Sequence, residues 1–96
     1  MPEFLAVHTL TAPITVEEAV ELGRKAVGLK SADAEWIEAW ARLDETRKVF
    51  KIFCRWRAES AEAVKAALAA LPGIPLDGVY PIVVANRELL GDPNGV

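Results

Sequence analysis

The stretch from Arg47 to Arg57, RKVFKIFCRWR, alternates polar with apolar residues and is rich in β-branched and aromatic side chains, the period-two signature of a strand. It sits between two segments with a helical period. In the first, Val16, Ala19, Val20, Gly23 and Val27 share one stripe, with Glu17, Glu21, Arg24 and Lys25 outside it. In the second, Val64, Ala67, Leu68 and Leu71 recur at spacings of three and four. A helix with one apolar stripe must bury it, and a lone strand is not stable, so this pattern requires a sheet covered by helices.

Local signals set the limits of these elements. Thr15-Val16-Glu17-Glu18 is a capping box that starts the first helix, and Gly28 is a plausible stop. Ser60 opens the second helix, and Pro72-Gly73 ends it. Phe4 to Leu10 reads as a short strand closed by a Thr11-Ala12-Pro13 turn. Gly78 to Ala85 reads as another, which Pro81 assigns to a sheet edge because it has no N–H for the ladder.

Residues 34–43 are ambiguous. Trp36, Ile37, Trp40 and Leu43 fit a helical stripe, whereas a strand would form a hairpin with the next strand through Asp44-Glu45-Thr46. The strand reading is adopted because it gives Arg47 to Arg57 a partner. The result is an α+β chain, a ferredoxin-like βαββαβ sandwich with a four-stranded antiparallel sheet and two helices on one face. Residues 1–85 form the domain, and residues 86–96, with Gly91, Pro93 and Gly95, form a flexible C-terminal tail.

Composition narrows the function classes. Apolar residues make up 52% of the 96, enough for one core, but many are alanines, so the large apolar residues must supply most of its energy. A chain this small buries only about 60–65% of its unfolded surface, which favours oligomerisation. The net charge of −3 gives no basis for a nucleic-acid or membrane-surface partner. Six of the 11 basic residues fall between Arg42 and Arg57, yet the strand there lacks the glycine and the aromatic spacing of an RNA-recognition sheet. The single cysteine, Cys54, excludes an internal disulfide, and no apolar run approaches the ~18 residues of a membrane span. A cytoplasmic location is the expectation.

On strand parity, the uncovered sheet face presents Phe4, His8, Trp36, Glu38, Trp40, Arg42, Lys51, Phe53 and Arg55, while Cys54 points to the covered side. Two tryptophans and two phenylalanines on one bare patch call for a cover, and a second copy in a two-fold homodimer is the simplest. A small ligand in the cleft between two copies is the sharper form, with Glu38, Arg42 or His8 as polar groups. His8 is the only histidine and the readiest proton carrier near neutral pH. Cys54 reads as a buried hydrophobe. No acid–base pair, nucleophile–base set or phosphate loop is discernible, so the reading leans away from catalysis. The alternative is a small cleft enzyme of the dimeric α/β-barrel monooxygenase type.

The ordered set Val7-His8, Ala39-Trp40, Phe53-Cys54, Ala58-Glu59-Ser60, Gly73-Ile74-Pro75-Leu76-Asp77 and Val79-Tyr80 resembles a small bacterial domain-of-unknown-function family. That family is typified by a nickel-binding ferredoxin-like protein. The resemblance implies the same fold, a homodimer and nickel as the metal. Where the family tends to carry histidines this chain has Thr9, Glu38 and Ile74, so the metal ligands it implies here are His8, Glu38 and Cys54. Borderline metals prefer several nitrogen or sulfur ligands, so binding by this set is expected to be weak and dependent on His8.

Overall fold

A computed structural model describes residues 1–29 and 31–91. Its elements are β1 (Glu3–Ile14), α1 (Val16–Val27), β2 (Ala34–Leu43), β3 (Val49–Ala58), α2 (Ala61–Leu68), β4 (Gly78–Ile82) and α3 (Arg87–Leu90). The four strands form one antiparallel sheet in the order β2-β3-β1-β4, the ferredoxin-like arrangement. Residues 34–43 are a strand. Their helical stripe is overridden because β3 needs a hydrogen-bonding neighbour, and β2 supplies it along its length.

Side-chain oxygens cap the helices. Thr15 accepts from the Glu18 N–H at 3.1 Å, and the Glu18 carboxylate accepts from the Thr15 N–H at 3.0 Å. Ser60 accepts from the Ala63 N–H at 3.1 Å. In the β2–β3 hairpin one Asp44 carboxylate oxygen accepts from Thr46 N–H, Thr46 O–H and Lys48 N–H, and Arg47 takes a left-handed φ of 65°. Pro81 lies on edge strand β4, opposite Phe4.

Several boundaries differ from expectation, and β4 ends at Ile82, not at Ala85. β1 runs to Ile14 through an irregularity after Thr9 and does not stop at Leu10, because Ile14 pairs with Val49. α2 gives way to turns after Leu68, before Pro72. The expected tail, residues 86–96, begins with the single turn α3, where Asn86 accepts from the Leu89 N–H; residues 92–96 lie outside the described residues.

The core lies between the sheet and α2. Phe4 and Ala6 of β1, Ala34 of β2, Cys54, Trp56 and Ala58 of β3, and Val64 of α2 are buried together. α1 is different. Val16, Val20 and Val27 on its apolar stripe remain 44%, 45% and 55% exposed, so this helix stands off the sheet instead of sealing it.

Candidate functional site

The two faces of the sheet have different chemistry, and the strand register assigns each side chain to one of them. On the uncovered face Leu5 of β1 lies between Arg55 and Tyr80, and Val7 between Phe53 and Gly78. Across β2 and β3, Glu38 pairs with Arg55, Trp40 with Phe53 and Arg42 with Lys51. Trp40 is 50% and Tyr80 51% exposed. The Tyr80 ring leans back over Gly78, where a Cβ would meet its hydroxyl group, so the aromatic takes the space a side chain would fill.

The charges around Arg55 on this face are paired within the chain. Arg55 donates through Nε and Nη2 to the two oxygens of Glu3, and through Nη1 to Glu38 Oε2 at 2.6 Å. The bond from Arg55 holds the Glu3 carboxyl below its usual pKa, and both carboxylates keep the guanidinium protonated. Arg42 stacks over the Phe50 ring at 4.9 Å and Lys51 over Phe53 at 5.9 Å.

Three residues expected on this face lie on the other. Phe4, His8 and Trp36 are on the helix-covered side, where Phe4 pairs with Trp56, His8 with Ile52 and Trp36 with Trp56. In β1 the reason is size. Ala6, fully buried beside Val64 and Trp56, lies in the core under α2, and Phe4 and His8 follow it by the two-residue period. In β2 the reason is a bulge. Ile37 is an extra residue between the Trp36–Trp56 and Glu38–Arg55 pairs, so the strand changes parity there. Phe50 makes a similar exception in β3. It falls at a register shift and takes Arg42 over its ring, so it does not share the covered face with Ile52.

His8 is 3% exposed. Its Nδ1–H donates to the Pro75 carbonyl at 2.8 Å, so in the neutral ring the lone pair is on Nε2. Burial pushes its pKa down, against the bond to Pro75 and the charge of Asp77. Cys54 shares this face, as expected, and burial pushes its thiol pKa up, so it stays protonated and unreactive. The Trp36 indole N–H lies near the thiol but has no hydrogen-bond partner among the described residues.

Between α1 and the sheet lies a partly open space of about 620 Å³. Val20 and Val27 of α1, Ala39 and Ala41 of β2, Ile52 of β3 and Leu71 beyond α2 supply its apolar walls. His8 and Cys54 are at its base, and Arg24 and Arg47 are its charged lining residues. The sequence does not reveal this space, since the α1 valines carry the same signal whether they are packed or standing off.

The metal ligands implied by the resemblance do not converge. His8 and Cys54 are on the covered side, and Glu38 is on the other, bound to Arg55. Among the described residues no group of three or more His, Cys, Asp or Glu side chains could hold a metal ion. The residues present therefore do not fit a nickel centre built by one chain. Among the described residues no helix is long and apolar enough to cross a membrane.

A family model described as "Nickel responsive protein SCO4226-like" matches residues 4–82, most of the chain. The crystal structure of SCO4226 from Streptomyces coelicolor A3(2) superposes with a TM-score of 0.70 at 21% identity, over 88% of this chain and 99% of that one. At that identity the likeness speaks for the fold. None of the curated proteins matches.

Proposed function

The chain belongs to the nickel-responsive SCO4226-like family, and on that premise we propose that it works as a two-fold homodimer paired through the uncovered sheet face. One observation carries this reading: the face is apolar at its centre and the ion cluster around Arg55 is already neutralised in cis. Glu3, Glu38, Arg55 and Arg57 sum to zero charge, and Arg55 is bonded to both carboxylates. Covering this cluster leaves no unpaired charge behind, which is the main penalty of burying ions, while Arg42 and Lys51 rest on the rings of Phe50 and Phe53. Trp40, Tyr80, Phe53, Leu5 and Val7 provide aromatic and aliphatic contact area of the kind that anchors interfaces. A radius of gyration of 14.7 Å, against about 13 Å for a closed domain of this length, fits a chain with one layer still to be covered.

The nickel response of the family does not fit a single-chain centre at His8, Glu38 and Cys54. The alternative of a cleft enzyme rested on a histidine in the cleft between copies, and His8 is on the other side of the sheet.

Sedimentation equilibrium of the parent and of Trp40→Glu tests the pairing. The parent is expected to be a dimer. The variant brings one carboxylate from each subunit into the interface and weakens association by roughly thirtyfold or more, equivalent to losing ~2 kcal/mol. A parent that stays monomeric at high concentration removes the reading, and a variant dimer of unchanged strength removes Trp40 from the interface.

A further inference from the structure

We propose that the space between α1 and the sheet is a binding site for a small, uncharged, mainly apolar molecule with one hydrogen-bond donor, which it gives to His8 Nε2. Three observations converge on this chemistry. The first is size: about 620 Å³ lies within the range of small-molecule pockets, roughly 300–1,000 Å³. The second is the exposed apolar stripe of α1. Val20 and Val27 face a space that the chain's own side chains do not fill, although ordinary helix–sheet packing would have buried them.

The third is His8, a buried side chain of the site that offers an acceptor. Pro75 O can only accept, so it fixes the ring proton on Nδ1 and leaves Nε2 as an acceptor. Among the described residues no group bonds Nε2. Nε2 is not one of the fully buried unpartnered atoms, so water reaches it when the space is empty, and a ligand O–H or N–H can take that water's place. Nothing in the lining attracts a cation, since it contains no carboxylate. Arg24 is already paired with Glu21 at 3.0 Å, which leaves the apolar walls, His8, the unpartnered Trp36 indole N–H and Arg47 to select the ligand.

N-phenyl-1-naphthylamine is a suitable probe, because it is uncharged, carries one N–H and fluoresces in apolar surroundings. Titrated into the parent protein, it should bind saturably with one molecule per chain. Phenylalanine at an exposed position on the β2 side of the space, Ala39→Phe or Ala41→Phe, should fill the site and abolish binding while cooperative unfolding is retained. Two positions are used so that misfolding of one variant does not decide the result. Phe53→Ala, on the opposite face, should leave binding unchanged.

Competition by 1-phenylnaphthalene, which lacks the N–H, should be roughly fivefold to tenfold weaker than by the amine. The same arylamine bearing a sulfonate, 1-anilinonaphthalene-8-sulfonate, should also bind more weakly. Equal affinity of the amine and the hydrocarbon overturns the role of His8, and tighter binding of the sulfonate shows that Arg24 and Arg47 select an anion instead. Unchanged binding in both phenylalanine variants, or its loss in Phe53→Ala, overturns the location. Probe binding that weakens as protein concentration rises would mean that a second copy occupies the space, which also overturns the proposal.

Discussion

Trp56 permits a sharp test of how the core is held together. It is fully buried between Phe4 and Trp36 in the register, and its indole N–H has no hydrogen-bond partner among the described residues. Two effects therefore oppose each other in Trp56→Phe. The smaller ring leaves roughly 40 Å³ unfilled, which costs about 1 kcal/mol at the cavity coefficient found for core truncations. Loss of roughly 40 Å² of buried apolar area costs about 1 kcal/mol more. Against this, the substitution removes a buried donor without an acceptor, a burden of about 1–3 kcal/mol. The net change should fall within about 1 kcal/mol of zero, whereas Trp56→Ala should lose about 3–5 kcal/mol. Urea unfolding followed by far-ultraviolet circular dichroism measures both, since it does not depend on the tryptophan removed. The slope with denaturant should be unchanged, and the experiment is run at several protein concentrations because association shifts apparent stability. A loss of about 3 kcal/mol in Trp56→Phe would refute the reasoning, because it would mean that the indole N–H is satisfied in the folded protein.

Two further outcomes follow from His8. Burial lowers its pKa in the folded chain below the ordinary 6.5, so the unfolded chain binds the proton more readily. Stability should be level above about pH 6.5 and fall as pH drops below it towards the folded value; His8→Phe should flatten this slope, and equal slopes in the two proteins would remove His8 as its source. The second concerns nickel. Because Nδ1 is committed to Pro75 and Glu38 lies across the sheet, calorimetric titration of nickel should give the same result for His8→Ala as for the parent. Tight binding in the parent that the variant loses would show a ligand set centred on His8.

Much of the fold was legible because it rests on short-range chemistry. The Thr15–Glu18 box and the Ser60 cap follow from residues three apart, the Asp44 turn from residues at most four apart, and Pro81 marks an edge strand by its missing N–H. On the uncovered face Glu38, Trp40, Arg42, Lys51, Phe53 and Arg55 obey simple alternation and lie where the period assigns them. The faces of Phe4, His8 and Trp36 were not legible. Phe4-Leu5-Ala6-Val7 is apolar on both sides, so its alternation carries no parity. The choice was made when Ala6 met Val64 and Trp56, residues 50 or more positions away. Trp36 changed face through a bulge at Ile37 that exists only because β3 imposes its own register on β2. The space under α1 belongs to the same class. Its valines are written in the sequence, but whether they touch the sheet depends on how far the helix stands from it, a distance set by tertiary packing and by no local signal.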